Sequence, residues 1–260
     1  MDLGLRDKVA IVGGGSMGIG YGIAHTLAQE GARIVITARR QPALAKAAGE
    51  LYAQTGAQVM PIVADCRQAD DCTRVVEATV AALGGIDILV NNDGAPPLGE
   101  LLGFDDTAWA KAVEQNLMYV VRMTRAAIPQ MIAQNRGGAV LNIAAISAIQ
   151  PIVGFGLSVA TWAGVIGYSK TLSLEVAEHD INVNTICPGY IDTTRLEKVF
   201  GAGGADPQLM RAKLEAEVPM GRIGTVADVA SMVALLVSPR GRYTTGAAIA
   251  VDGGLLRGVR

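Results

Sequence analysis

Short apolar runs alternate along the chain with longer stretches of helical period. Val9-Ala10-Ile11-Val12 opens the pattern; Ile19, Ile23 and Leu27, with Ala24 and Ala28, follow at the spacing of one helix face. Ile34-Val35-Ile36 comes next, then an Ala/Leu-rich helical stretch over residues 42–54. The same reading predicts strands at 59–63, 87–90, 139–143, 182–186 and 247–251. It predicts helices at 70–83, 105–134, 156–178, 207–217 and 226–236. Each strand is short and apolar throughout, as in a parallel sheet buried on both faces. Helix-sized connections between parallel strands cross over right-handed. The expected fold is α/β: a single-domain, doubly wound, parallel seven-stranded sheet spanning residues 1–260.

Charge changes this picture in one place. The 260 residues carry a formal net charge of −2, and 18% of them are charged, against about 25% in a typical soluble domain. That balance excludes a strongly basic nucleic-acid binder and an acidic tail. Residues 137–169 hold no Asp, Glu, Lys, Arg or His. A membrane helix needs about 20 nearly continuous apolar residues. Asn142, Ser147, Gln150, Pro151, Gly154 and Gly156 interrupt this stretch, and Pro151 would break a helix within it. No membrane partner is expected. Asp2, Arg6, Asp7 and Lys8 precede the first strand without a signal-peptide core. Cys66, Cys72 and Cys187 are scattered and read as buried thiols of a cytoplasmic protein. With only two histidines, no metal site and no His-based triad is expected.

Between the first strand and first helix runs Gly13-Gly14-Gly15-Ser16-Met17-Gly18-Ile19-Gly20. Glycines in a strand–loop–helix context permit a tight turn and close approach of a pyrophosphate to the helix N-terminus. This marks a dinucleotide site. At the end of the second strand, an acidic residue would accept from the ribose 2′-OH of NAD. The chain instead reads Ala38-Arg39-Arg40. Ala38 leaves room, and Arg39, assisted by Arg40, can pair with a 2′-phosphate. NADP(H) is therefore the preferred cofactor, with NAD(H) possible.

These residues, with others downstream, resemble the short-chain dehydrogenase/reductase family over nearly the whole chain, and so imply its Rossmann fold. Asp65, with Cys66 beside it, stands where the family's adenine-contacting Asp stands. Asn91-Asn92-Asp93-Gly94 resembles the family's Asn-Asn-Ala-Gly, with Asp93 in place of Ala. Asn116 sits where a helical Asn organises the family's active-site water. Pro188-Gly189-Tyr190-Ile191-Asp192-Thr193 resembles the loop that holds the nicotinamide carboxamide, and Asp252-Gly253-Gly254 the C-terminal signature. The resemblance implies cofactor contacts at Gly14, Ser16, Met17, Gly18, Ile19, Arg39, Arg40, Asp65, Cys66, Asn92, Gly94, Pro188, Gly189, Ile191 and Thr193.

The family's reductases use a Tyr as general acid, a Lys four residues later and a Ser thirteen residues earlier. Aligning Gly164 to Leu172 with the helix that follows the family's Lys puts the Tyr position on Ser158, the Lys position on Trp162 and the Ser position on Ala145. No Tyr-x-x-x-Lys occurs in the chain. Tyr168, ten residues beyond Ser158, would lie about 15 Å along the helix. A divergent member is implied, lacking the usual catalytic set. Asn116 remains, and four residues could carry a different chemistry. Asp93 is a base in the crevice or a turn cap. Ser147 faces the site if its segment is extended, or is a loop serine. Ser158 bonds substrate or only packs. Tyr190 walls the substrate or takes part in catalysis. Three functions stay open: an NADP(H)-dependent oxidoreductase on a carbonyl or alcohol, a catalytically inactive NADP(H)-binding sensor or partner-supporting protein, and a redox-neutral dehydratase or isomerase with Asp93 as base. The substrate is expected to be a small, apolar molecule held against a loop insertion at about 195–218. By resemblance, the chain forms a homotetramer or homodimer.

Overall fold

The computed structural model describes residues 1–92, 94, 96–201 and 206–258, with the side chains of 198–201 outside the description. Seven parallel strands form one sheet: β1 (Val9–Val12), β2 (Arg33–Ala38), β3 (Val59–Val63), β4 (Ile88–Asn91), β5 (Gly138–Ile143), β6 (Ile181–Pro188) and β7 (Ala248–Val251). Their spatial order is β3-β2-β1-β4-β5-β6-β7. The chain winds outward from β1 to one edge, returns to β4 beside β1, and winds out to the other edge. Where the winding reverses, the connections leave β1 and β4 in opposite directions and open a crevice beyond their carboxyl ends. Val12 stands level with Ile36 of β2 on one side and with Val90 of β4 on the other.

Alternation along the strands sorts the core into two layers. Val9, Ile11, Val35, Leu89, Val140 and Val183 face α3 (Ala69–Leu83), α5 (Tyr119–Gln134) and α6 (Gly156–Val176). Ala10, Val12, Ile34, Ile36, Val90 and Leu141 face α1 (Gly18–Gln29), α2 (Gln41–Thr55) and α9 (Val226–Leu236). Burying each large aliphatic side chain is worth about 1.5–3 kcal/mol. A sheet covered on both faces favours apolar side chains at most positions; the exceptions, such as Thr37, Asn91, Asn142, Asn184 and Thr185, are buried polar side chains.

Two stretches differ from the periodic reading. The helix expected over 105–134 is α4 (Asp106–Val113), a π-helical turn at Glu114–Met118, and then α5. The wider turn inserts a residue into the ladder and re-aims side chains, and it leaves Asn116 buried. Apolar spacing cannot reveal a one-residue change of pitch inside a long helix. The segment expected as a substrate loop holds α7 (Thr194–Gly201) and α8 (Pro207–Glu217). Helix α8 stands where its period predicts, capped by Asp206, which accepts from the Gln208 N–H at 2.9 Å. The two turns of α7 are too short for a 3.6-residue period to show.

The uncharged stretch becomes β5, a short 3₁₀ turn at Ile146–Ala148 and most of α6. Amides replace charges there. Asn91 Nδ2 donates to Asn142 Oδ1 (2.8 Å), Asn142 Nδ2 donates to Ser169 Oγ (2.8 Å), and Ser169 Oγ donates to the Val165 carbonyl (2.6 Å). This buried chain ties β4, β5 and α6 together beneath the crevice. Among the described residues, no helix is long and apolar enough to cross a membrane.

Candidate active site

A cavity of about 740 Å³ runs along the carboxyl ends of the strands, from the end of β2 to the loop after β6. Those strands are four spacings apart in the sheet, or about 19 Å. At the β2 end the wall is Gly14, Ser16, Met17, Gly18, Ile19, Arg39 and Arg40, with Asn92 and Gly94 at the centre. Gly14 holds φ +60° and Gly18 φ +57°, a region that L side chains rarely adopt. A Cβ on Gly14 would also strike the Asn92 carbonyl. Asn92 Nδ2 donates to the Gly13 carbonyl at 3.2 Å, holding β4 to the loop. Helix α1 begins at Gly18 with no side-chain cap and no acidic residue in its first turn. Its free N–H groups and the positive end of its dipole suit a phosphate.

Arg39 and Arg40 are exposed, and their side chains make no hydrogen bond or ion pair among the described residues. Asp65 and Cys66 stand outside the cavity lining. The Asp65 carboxylate accepts from Arg67 Nε (2.8 Å) and Nη2 (2.5 Å). These bonds hold its pKa below the usual carboxylate value, with a smaller pull from Arg39. Cys66, Cys72 and Cys187 are buried thiols, and Cys72 Sγ donates to the Cys66 carbonyl at 3.1 Å.

At the other end the wall is nearly apolar, with Ala145, Ile146, Ile152, Phe155, Trp162 and Ile191. Ala145 is extended (φ −158°, ψ 159°), but the chain then turns into the 3₁₀ segment, so Ser147 does not continue a strand. Ser147 still lines the cavity. It is 3% exposed, and its Oγ has no hydrogen-bond partner among the described residues. Ser158 is fully buried on α6 and outside the lining, and its Oγ also lacks a described partner. Asn116 lies behind the cavity wall: its Nδ2 donates to Thr161 Oγ1 at 2.8 Å, and its Oδ1 has no described partner. Asp93 lies outside the described residues.

Tyr190 lines the cavity and donates its hydroxyl proton to the Glu217 carboxylate at 2.9 Å. Burial, then the Glu217 bond and charge, push its pKa up to about 12. The phenol therefore stays protonated at neutral pH. Arg211 Nη1 meets Asp192 at 2.9 Å, a second tie from α8 to the loop after β6. Pro188, Gly189, Ile191 and Thr193 complete the wall. A Cβ on Gly189 would stand 2.8 Å from Asp252 Cβ, and the Asp252 carboxylate accepts from the Gly254 and Leu256 N–H groups (3.0 and 2.7 Å). The C-terminal Asp252-Gly253-Gly254 run thus braces the Pro188-Gly189 loop.

The sequence matches the family model described as Enoyl-(Acyl carrier protein) reductase over residues 14–256. It is 36% identical over 251 residues to 3-oxoacyl-(acyl-carrier-protein) reductase FabG of Chlamydia muridarum, covering 96% of this chain and 98% of that protein. The chain belongs to the short-chain dehydrogenase/reductase family. It is of that family's oxidoreductase type. It is also 34% identical over 252 residues to 2-dehydro-3-deoxy-D-gluconate 5-dehydrogenase of Escherichia coli, covering 97% of this chain and 96% of that protein. In structure it is similar to L-sorbose reductase from Gluconobacter frateurii complexed with NADPH and L-sorbose, with TM-score 0.94, 34% identity and 100% of both chains covered. An actinorhodin polyketide ketoreductase with NADPH aligns at TM-score 0.91 and 33% identity, covering 96% of this chain and 97% of that one.

In this short-chain dehydrogenase/reductase the crevice gathers most of the residues that the sequence nominates for the cofactor, and of the nominated hydroxyls it gathers Ser147 and Tyr190. It also gathers Arg195, which sequence reasoning passed over as the start of a loop. The signal was present: a cation two residues beyond Thr193, on the segment that resembles a cofactor loop.

Proposed function

We propose that this protein binds NADP(H) in the crevice and acts as an oxidoreductase on a small carbonyl or alcohol, through an atypical active site. One observation carries the reading: a single cavity joins an uncapped helix N-terminus and two arginines at one end to a largely apolar wall with a buried hydroxyl at the other, the arginines and the hydroxyl without hydrogen-bond partners among the described residues. The residues fit the cofactor. Gly14 and Gly18 admit a pyrophosphate to the α1 N-terminus, and Arg39, with Arg40, meets a 2′-phosphate beside the small Ala38. Asn92, Gly94, Pro188, Gly189, Ile191 and Thr193 frame the nicotinamide half. Asp65 and Cys66 support that wall from outside it. The chemistry supplied by the bound cofactor is hydride transfer to a carbonyl carbon, or from the matching alcohol.

Ser147 donates a hydrogen bond to the substrate oxygen, while Trp162 and Tyr190 wall the substrate and exclude water. Asn116 and Ser158 position α6 rather than touch substrate. Ala145, Ser158 and Trp162 stand where the family resemblance puts Ser, Tyr and Lys, so no tuned phenol moves a proton. Tyr190 cannot take over that task with its pKa at about 12. General acid–base assistance is worth about 10²–10⁴-fold, and the rate is reduced accordingly. The same observation favours a second reading, an NADP(H)-binding protein without turnover. The reading includes a homodimer or homotetramer, for which the uncharged first half of α6 offers a face; sedimentation checks it.

Titration of the purified protein with NADPH and NADH by fluorescence, followed by a screen of carbonyls and alcohols at the nicotinamide absorbance band, tests both readings. Tight NADPH binding with slow turnover is the expected outcome. Binding without turnover on any substrate selects the second reading, and no binding of either nucleotide overturns both.

A further inference from the structure

Three arginines line the crevice, and among its described lining residues there is no aspartate or glutamate. Arg39 and Arg40 follow β2, whereas Arg195 stands in the first turn of α7, after β6 and so across the sheet from them. Arg195 is half-buried. Its guanidinium makes no hydrogen bond or ion pair among the described residues. Asp192 pairs with Arg211 at 2.9 Å and Glu217 with Tyr190 at 2.9 Å, while Glu197, two residues on in α7, is exposed and makes no ion pair with Arg195 among the described residues. Burial alone pulls the Arg195 pKa below its ordinary value, yet a guanidinium stays charged at neutral pH. A half-buried charge with no partner among the described residues is stabilised by a counter-ion, so the site suits an anion. The anionic groups of the cofactor already have their receptors in the glycine loop, the α1 N-terminus, Arg39 and Arg40.

We infer that Arg195 reads a carboxylate on the substrate, so that the substrate class is an apolar oxo acid or the matching hydroxy acid. This rests on reading the crevice as an NADP(H) site. The planar fork of arginine matches a carboxylate with two parallel bonds. Ile152, Phe155 and Trp162 receive the apolar body, and Ser147 Oγ meets the carbonyl oxygen. The substrate is thereby held at two polar points with its carbon chain between them.

Calorimetric titration of the NADPH-loaded protein with phenylpyruvate, levulinate and acetoacetate, each beside its methyl ester, tests the inference. The protein is expected to bind at least one acid about 10- to 100-fold more tightly than its ester, the range of a charge-assisted hydrogen bond. Arg195→Met brings that ratio close to one, with the ester and NADPH affinities within about twofold of the original. Arg195→Lys restores part of the ratio, because it keeps the charge but not the fork. Equal binding of acid and ester by the unaltered protein in every pair overturns the inference, whatever the variants do. A loss of NADPH affinity of about tenfold or more in Arg195→Met, with the acid-to-ester ratio intact, overturns it in favour of a pyrophosphate contact. If the unaltered protein fails to bind NADPH, the cofactor reading falls, and the acid-to-ester ratio measured without cofactor still decides the carboxylate contact.

Discussion

The two ends of the crevice are built on opposite principles. At the β2 end, backbone conformation and unpaired charge make a receptor before any ligand arrives. Gly14 and Gly18 take positive φ, α1 starts uncapped, and the exposed Arg39 and Arg40 make no side-chain hydrogen bond or ion pair among the described residues. At the β6 end the wall is largely apolar apart from Arg195, Tyr190 is tied to Glu217, and Ser147 presents a hydroxyl with no described partner. Binding and proton transfer therefore separate in space. On the proposed function one end holds a nucleotide by electrostatics, while at the other the Tyr190 phenol, its pKa pushed up to about 12, keeps its proton. Within a fold that hosts many activities, the proposed function has affinity and rate set by different residues.

The largest test of that contrast restores the reaction centre. Ala145→Ser, Ser158→Tyr and Trp162→Lys combined are expected to raise NADPH-dependent carbonyl reduction about 10²–10⁴-fold, read as NADPH consumption. Unchanged activity in a folded triple variant would mean that the two ends are not separable in this way. Next in size, Gly14→Val strains a positive-φ position and drives a side chain into the Asn92 carbonyl. NADPH binding should fall by about a hundredfold, from roughly 3 kcal/mol of strain, with circular dichroism reporting that the fold survives. Arg39→Ala should weaken NADPH by about tenfold or more and leave NADH nearly unaffected. Retained preference for NADPH in that variant would remove Arg39 from the 2′-phosphate.

The smallest effect concerns the apolar end. Glu217→Gln should cost about 1 kcal/mol of stability, measured by urea unfolding. It should also lower the pKa of Tyr190 from about 12, measured by tyrosinate absorbance. The sign follows from linkage. The folded phenol binds its proton more tightly than the unfolded one, whose pKa is about 10. Its contribution is complete below about pH 10 and is lost as the pH rises toward the folded value. An unaltered Tyr190 titration in Glu217→Gln would show that burial alone sets the phenol.

Legibility from sequence followed the range of the interactions. Strand and helix identities were local, because apolar runs and 3.6-residue periods encode which faces are buried. The glycine loop and Arg39-Arg40 were equally local, since four strand–loop–helix elements place them without help from distant chain. Asn116 was nominated from resemblance, but its π-helical turn and its bond to Thr161 Oγ1 at 2.8 Å join segments 45 residues apart. Asp65, nominated as a cofactor contact, is held by Arg67 two residues on, an arrangement that residue type alone does not reveal. In sequence, Ser158 stood at the family's Tyr position with substrate or packing roles open, and Ser147 reached the site only if its segment were extended. Packing separates them: the turn after Ala145 carries Ser147 to the cavity wall, while the inner face of α6 buries Ser158.

The sequence by itself determined the parallel sheet, its two-faced burial and the glycine-and-arginine receptor, because each is written in spacing or residue type within one strand–helix unit. It also determined that no Tyr-x-x-x-Lys pattern occurs in the chain. Only the tertiary structure decided which hydroxyl reaches the cavity, that Tyr190 is tied to a carboxylate 27 residues away, and that Arg195 faces the crevice without a counter-charge. Those outcomes, the last of them as far as the described residues show, depend on how β5, β6 and α8 converge. Burial and partnership are properties of neighbours in space, and a chain read residue by residue does not contain them.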